Sequence, residues 1–534
     1  MQAYTRKLMN RPQWLLREGM LASASRYPDK IALVIEGQPY RYGELQDAAM
    51  RLAGRLREEG VRPGDRVAIY MDNTWPCIVS IYAVLLAGGV FFVVNPQTKM
   101  EKLRYVLEDS GARALLTDWH LAGNFIPAVE GLDALRFLVV SGEPRESVET
   151  GNRLVLAFAT VLAESDPLSE PVNVVPTDLA ALIYTSGSTG DPKGVMQTHQ
   201  SMVFAAWSLI EYLRLSASDR ILLVLPLAFD YGLYQLLMAM KLGATLIVER
   251  SFTFPARIYE RMRQEEVTVF PAVPTIFSML VSGHRKQALT FPSVRRVTNT
   301  AAALPEALLA DLKEIFPNAL IYKMYGLTEC KRVSYLEPEL IDEKPDSVGK
   351  AIPGTEVFLL KENGELAGPG EEGILHVRGP HVMLGYWRKP ELSEKMLKPG
   401  RLPGERVLCT HDLFRMDEEG FLYFVSRTDD IIKTRGEKVS PVEVENTIMQ
   451  MEAVKEVAVI GVADETLGSA LHAFVVPESE TGSLDKRVRK HCAERLENFM
   501  VPQKVHVVTQ LPRSANGKID KKRIIEEEWW HDEI

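Results

Sequence analysis

The chain has 534 residues, 46% of them hydrophobic and 25% charged, with a formal net charge of -9. That length exceeds one hydrophobic core and implies two or more domains, and the acidic balance argues against general binding to nucleic acid or to an anionic membrane. Four scattered cysteines, Cys77, Cys330, Cys409 and Cys492, form no CxxC pair and no metal-ligand spacing, which suits a reducing cytosol without structural disulfides.

In chain order, Met1 to Glu18 carries Arg6, Lys7, Arg11 and Arg17 with no acid before Glu18, a faint imitation of a transit peptide. It lacks serine, and Trp14-Leu15-Leu16 reads as part of a surface helix. Cys77 to Val94 is nearly all apolar, but Gly88-Gly89 divides it into a buried helix and a strand, Val90 to Val94, so it is not a membrane span. From about residue 30 to 300, short β-branched strands alternate with helical stretches: Arg66–Tyr70, Ala114–Leu116, Phe137–Val140, Arg220–Leu225 and Thr245–Val248. This is the pattern of a parallel α/β sheet.

Within it, strand Leu179–Tyr184 runs into Thr185-Ser186-Gly187-Ser188-Thr189-Gly190-Asp191-Pro192-Lys193-Gly194. Glycines turn backbone N–H groups toward an anion, hydroxyls add donors and the lysine adds charge, so the loop suits phosphates. It is not a Walker loop, because Asp191-Pro192 separate Gly190 from Lys193. Farther on, Tyr325-Gly326-Leu327-Thr328-Glu329 sets a hydroxyl beside a carboxylate after a strand, suiting an α-phosphate and Mg²⁺. From about 346 to 426, short strands and glycine turns suggest a small β-barrel or sheet. There Thr410-His411-Asp412 offers a carboxylate to two ribose hydroxyls. A third unit starts near Ser426 with a charged stretch that includes Arg427, Asp429, Arg435, Gly436, Glu437 and Lys438. Ser440-Pro441-Val442-Glu443 signals its first helix, and strands Val457–Ile460 and Ala473–Val476 follow. Near the end, Asn516-Gly517-Lys518 places a lysine after a tight turn.

Taken in order, Thr185–Gly194, Tyr325–Glu329, Thr410–Asp412, Arg427–Gly436 and Asn516–Lys518 resemble the signatures of the adenylate-forming superfamily. That superfamily holds acyl- and aryl-CoA synthetases, nonribosomal peptide synthetase adenylation domains and firefly luciferase. The resemblance runs from Tyr40 to Lys518. It implies an α/β fold: a large N-terminal AMP-binding domain, 1–428, of α/β subdomains plus a small β-barrel, and a small mobile α+β C-terminal domain, 429–534. It also implies a two-step reaction with ATP and Mg²⁺, in which an acyl-adenylate forms and a pantetheine thiol then displaces AMP.

By the same resemblance, Thr185, Ser186, Gly187, Ser188, Thr189, Gly190 and Lys193 hold the β- and γ-phosphates. Thr328 contacts the α-phosphate, and Glu329 binds Mg²⁺. Ala302, Lys323, Met324, Tyr325 and Gly326 surround the nucleotide, although Thr300-Ala301 replaces the family's usual Gly-Gly before the adenine stretch. Asp412 takes the ribose with Arg427 close by, and Lys518 bridges the carboxylate and the α-phosphate. Asp429 is the hinge, and Arg435, Gly436, Glu437 and Lys438 face the thiol after the C-terminal domain swings.

The acid pocket is expected around Phe229, Asp230, Tyr231, Asn299 and Val333. Phe229-Asp230 leans the reading toward an amino acid such as proline, with Asp230 against its ammonium, unless Arg332 neutralises that carboxylate internally. The alternative is an aryl- or acyl-CoA synthetase for a benzoate-like or other simple acid, using free CoA. Only Ile519 to Ile534 follow Lys518, too few residues for a fused carrier domain, so the thiol is expected on CoA or a separate carrier protein. Glu526-Glu-Glu-Trp-Trp530 is expected to tuck its tryptophans against the domain. The whole is expected to be cytoplasmic, a monomer or homodimer.

Overall fold

The computed structural model describes residues 12–143, 153–186, 192–300, 304–305, 308–428, 430–434, 437–464, 468–479, 483–496, 498–514 and 518–529. Strands Leu154–Ala157, Phe137–Ser141, Ala114–Asp118, Arg66–Tyr70, Val90–Val94, Leu179–Ser186 and Pro192–Thr198 lie in that spatial order in a seven-stranded sheet. Every neighbouring pair is parallel except the last, whose antiparallel register sets Thr185 opposite Lys193. Val90–Val94 is buried at every position, as a strand covered on both faces must be. The apolar run before it is helix Trp75–Leu86, parted from the strand at Gly88-Gly89 as the sequence predicts. No described helix is long and apolar enough to cross a membrane.

A nine-stranded sheet lies alongside. Its parallel centre runs Leu320–Tyr325, Arg296–Asn299, Val269–Ala272, Arg220–Leu223, Thr245–Val248 and Ile31–Ile35. Ligands in such sheets bind beyond the carboxyl ends of the strands. The phosphate loop, Asp230, Asn299 and Tyr325 all follow or end strands of these two sheets on that side. Asn73 ties the sheets together there: its Nδ2 donates to Leu225 O at 2.9 Å, and its Oδ1 accepts from Leu227 N at 2.9 Å.

Strands Glu356–Leu360, Glu372–Arg378, Leu397–Pro399, Arg406–Met416 and Leu422–Arg427 form a five-stranded antiparallel sheet. The expected small barrel is corrected to this branched sheet. Leu422–Arg427 adds to the long strand Arg406–Met416, and no pairing among the described residues closes the ring.

The C-terminal region holds a three-stranded sheet, Val454–Asp464, Gly468–Pro477 and Lys504–Val507. Its first helix, Pro441–Met449, is capped by Ser440, whose side chain accepts from Glu443 N. Its apolar clusters draw on residues from Ile432 to Trp529, whereas those of the two large sheets draw on Leu16 to Phe424. Trp529 packs on one of the C-terminal clusters, as expected, while Trp530 lies outside the described residues. All four cysteines are buried free thiols.

The expected surface helix at Trp14–Leu16 is also corrected. That stretch leads through a turn into helix Glu18–Arg26, and Leu15 and Leu16 are buried. Leu16 N donates to His199 Nδ1 at 3.2 Å, and buried Arg17 donates to Leu85 O at 2.9 Å and Val172 O at 2.7 Å. The cation is tolerated inside because backbone carbonyls replace its water.

Candidate active site

Side chains from the carboxyl ends of the two sheets meet side chains of the five-stranded sheet, and Lys518 lies within electrostatic reach of them. Ser188, Thr189 and their glycines Gly187 and Gly190 lie outside the described residues, and so does the side chain of Ser186. On the flanks, Thr185 Oγ1 is buried and meets no hydrogen-bond partner among the described residues. Lys193 reaches across to Tyr386, its Nζ 3.2 Å from the phenol oxygen and 4.5 Å from the ring centre. The phenol in turn donates to Glu329 Oε1 at 2.6 Å. One buried tyrosine therefore joins Lys193 to Glu329.

Tyr386 escaped the sequence reading, since it lies far along the chain from both partners in an unremarked Gly-Tyr-Trp. Its backbone bridges to Val195, and Trp387 N donates to Gly194 O at 2.8 Å, so the segment is laced to the loop's outgoing strand. Burial first, then the Glu329 charge, hold its phenol far above the usual range, so it stays a donor. Hydrogen bonds to charged groups contribute about 1.5–3 kcal/mol. Tyr386→Phe is accordingly expected to raise the KM for MgATP about tenfold or more in pyrophosphate exchange; an unchanged KM would remove Tyr386 from the site.

Thr328 is held through its backbone, its carbonyl accepting from Gln197 Nε2 at 3.1 Å while Ser201 Oγ donates to Gln197 Oε1 at 2.8 Å. Gly326 permits the turn before it: a Cβ there would lie 2.5 Å from Lys331 O and 2.9 Å from Arg332 Cα. Asp412 and Arg427 face each other across paired strands, with Nε 3.1 Å from Oδ1, and the Tyr325 phenol donates to Oδ2. Burial raises the Asp412 pKa, and Arg427 opposes that rise. Met324 is buried, its sulfur 3.0 Å from the Tyr212 hydroxyl, and Lys323 Nζ donates to Pro345 O. Ala302 lies outside the described residues.

Lys518 completes the cleft. Part of the residue is open to solvent, while the walls around its amine hold its pKa below the ordinary lysine range by desolvation. The charges acting on it are, in falling order, Asp230, Arg427, Asp412 and Glu329. Asp429, Arg435 and Gly436 are not among the described residues; Glu437 and Lys438 begin strand Glu437–Val439, their side chains undescribed.

In the acid pocket, Phe229 and Asp230 open helix Asp230–Leu242, which approaches the preceding loop closely at Gly232. Tyr231 is buried and its hydroxyl sits 2.7 Å from both Thr298 O and Thr298 Oγ1. Asn299 and Val333 are buried. The internal partner of Asp230 is Lys331, which the sequence reading passed over, and not Arg332. Lys331 Nζ lies 3.4 Å from Asp230 Oδ2, whereas buried Arg332 donates to Thr300 Oγ1. Burial holds the Lys331 amine below the usual lysine range, and Asp230 pulls it back most strongly.

These residues fit a magnesium nucleotide. The unmet Thr185 hydroxyl and Lys193 suit phosphate oxygens. No group of three His, Cys, Asp or Glu side chains able to hold a metal occurs among the described residues. A single hard carboxylate such as Glu329 fits an ion whose other ligands are phosphate and water.

The AMP-binding enzyme family matches residues 21–387, and the AMP-binding enzyme C-terminal domain matches residues 443–518. Gramicidin S synthase 2 of Aneurinibacillus migulanus is 32% identical over 93% of this chain, which spans only 11% of that protein's length. The long-chain-fatty-acid–CoA ligase of Bacillus subtilis is 31% identical over 97% of this chain and 95% of its own. Among solved structures, the o-succinylbenzoate CoA synthetase of Bacillus subtilis with its acyl-adenylate intermediate superposes with a TM-score of 0.82 at 28% identity, covering 96% of this chain and 98% of that one. The same synthetase is also solved with ATP and a magnesium ion. The chain belongs to the AMP-binding enzyme family.

Proposed function

We propose that the protein activates a simple carboxylic acid as its acyl-adenylate and transfers the acyl group to the thiol of coenzyme A. The observation that carries this choice is the Lys331–Asp230 pair: the carboxylate that would greet a substrate ammonium already has a cation 3.4 Å away. The full-length similarity to a fatty-acid–CoA ligase and to an o-succinylbenzoate CoA synthetase supports the same choice. The lean toward an amino acid on a carrier protein loses its support with Asp230.

In the first step, an oxygen of the substrate carboxylate attacks the α-phosphorus, and the bond to the bridging oxygen breaks to release pyrophosphate. Thr185, Ser186, Ser188, Thr189 and Lys193 hold the departing phosphates, Thr328 the α-phosphate and Asp412 the ribose. Glu329 would hold a magnesium ion, which when bound would supply positive charge beside the phosphates. Lys518 donates to the carboxylate and α-phosphate as charge builds between them, a task of positioning and electrostatics. In the second step the thiolate sulfur attacks the acyl carbon, and AMP leaves with the anhydride oxygen. The region 429–534, turning about Asp429 relative to 1–428, withdraws Lys518 and offers Arg435 to Lys438 to the incoming thiol.

The test is ATP–pyrophosphate exchange across fatty acids, benzoates and proteinogenic amino acids, followed by thioester formation with free CoA. Exchange with a simple acid and a CoA thioester are expected. Exchange confined to an amino acid, with no CoA product, would return the reading to a carrier-loading enzyme.

A further inference from the structure

Lys331 is built into the pocket rather than resting there. Its side chain is 3% exposed, and its backbone takes φ +66°, a conformation that non-glycine residues adopt only when surroundings enforce it. The carbonyl of the same residue is where a Cβ on Gly326 would collide, so the turn carrying Thr328 and Glu329 also sets the lysine. Its amine lies 4.6 Å from the ring centre of Tyr234 and 5.5 Å from that of Tyr231. Both tyrosines are buried and share helix Asp230–Leu242 with the aspartate. Two ring faces and one carboxylate thus cage the cation.

Asp230 is the open half of the pair, its side chain 23% exposed. It is also the strongest charge acting on Lys518. If Lys518 meets the reacting carboxylate, Asp230 stands beside that carboxylate, where the substituent on the substrate's α-carbon must sit. A lone carboxylate at that place repels a substrate anion and attracts an α-ammonium.

We propose that Lys331 is the specificity-determining residue of the pocket. By occupying Asp230, it admits acids that carry no charge at the α-carbon and denies a binding partner to α-amino acids. This rests on the simple-acid reading above. It adds that the preference resides in one lysine, so that removing its charge uncovers an ammonium site already present in the fold.

The test compares substrates that differ only by the α-ammonium: hexanoate with norleucine, phenylacetate with phenylglycine, and cyclopentanecarboxylate with proline. Pyrophosphate exchange is measured for the wild type, Lys331→Met, and the double variant Lys331→Met/Asp230→Asn, with ATP binding checked by equilibrium titration to establish that each is folded. The wild type is expected to favour the member without the ammonium. Lys331→Met should raise the KM for that member at least tenfold and shift the ratio of kcat/KM toward its amino partner at least tenfold. The double variant, with no charge left to meet, should recover the simple acid and lose the amino acid. A wild type that favours the amino member overturns the simple-acid reading itself. A wild type that favours the simple acid, with an unchanged ratio in folded Lys331→Met or no recovery in the double variant, leaves that reading standing and overturns the role of Lys331. If Lys331→Met alone does not fold, the double variant decides: it must keep the simple acid's KM within about threefold of wild type, and a tenfold rise overturns the proposal.

Discussion

Lys518→Ala is expected to lower pyrophosphate exchange by about 10³-fold, as loss of a positioned charge in a transition state does, while sparing thioester formation from a supplied acyl-adenylate. The expectation follows from the charges that act most strongly on the lysine: Asp230, Asp412 and Glu329 favour its cation, and Arg427 opposes it. An alanine leaves the site short of the cation that faces the converging anions. The residue as a whole is exposed, so folding should be little affected and thermal denaturation should match the wild type. Because desolvation lowers the Lys518 pKa, the alkaline limb of the adenylation rate should lie below that of an ordinary lysine and vanish in the variant. Equal loss of both half-reactions would refute the division of labour assigned to this residue.

The second large effect is expected at Gly326. A methyl group there meets the carbonyl of Lys331 and the Cα of Arg332, both backbone atoms that cannot rotate aside. Overpacking of this kind typically costs about 1–3 kcal/mol, and relief requires the turn to move. Thr328 and Glu329 follow on one side and the Lys331–Asp230 pair lies on the other. Gly326→Ala should therefore depress exchange on the order of a hundredfold or more, given the sensitivity of reactant placement to shifts near 1 Å. It should also lower the midpoint of thermal unfolding. Wild-type exchange in this variant would mean that the turn relaxes without disturbing the catalytic groups.

Much of this architecture was legible in the sequence. Arg66–Tyr70, Val90–Val94 and Thr245–Val248 could be read at their observed bounds, because buried β-branched runs between turn residues have few other ways to fold. Thr185, Lys193, Glu329, Asp412 with Arg427, and Lys518 could likewise be picked out as candidates, since each lies in a short motif whose residue types suit its expected task. What escaped depends on which distant segments meet. Nothing local in Gly-Tyr-Trp says that Tyr386 joins Lys193 to Glu329, and nothing in Cys330-Lys331-Arg332 says which cation turns toward Asp230. That choice is made by the backbone at Lys331, whose positive φ rotates its side chain toward the helix bearing Asp230. Trp14–Leu16 misled for a related reason: its leucines are buried by contact with a helix met much later in the chain, a tertiary effect that overrides local pattern. A barrel differs from a branched sheet only in whether its edges meet, which strand periodicity does not encode.

The division of apolar clusters between Leu16–Phe424 and Ile432–Trp529 has a mechanical consequence. A turn of the C-terminal region uncovers no oil from either interior. The joins to be undone are polar, such as Ser440 Oγ to Val425 O at 2.7 Å, and water can replace them. Reorientation therefore draws on exchange of hydrogen bonds with solvent, a nearly level balance, and not on the reserve that keeps the chain folded. If the region 429–534 turns as proposed, it does so without drawing on the apolar packing of either interior.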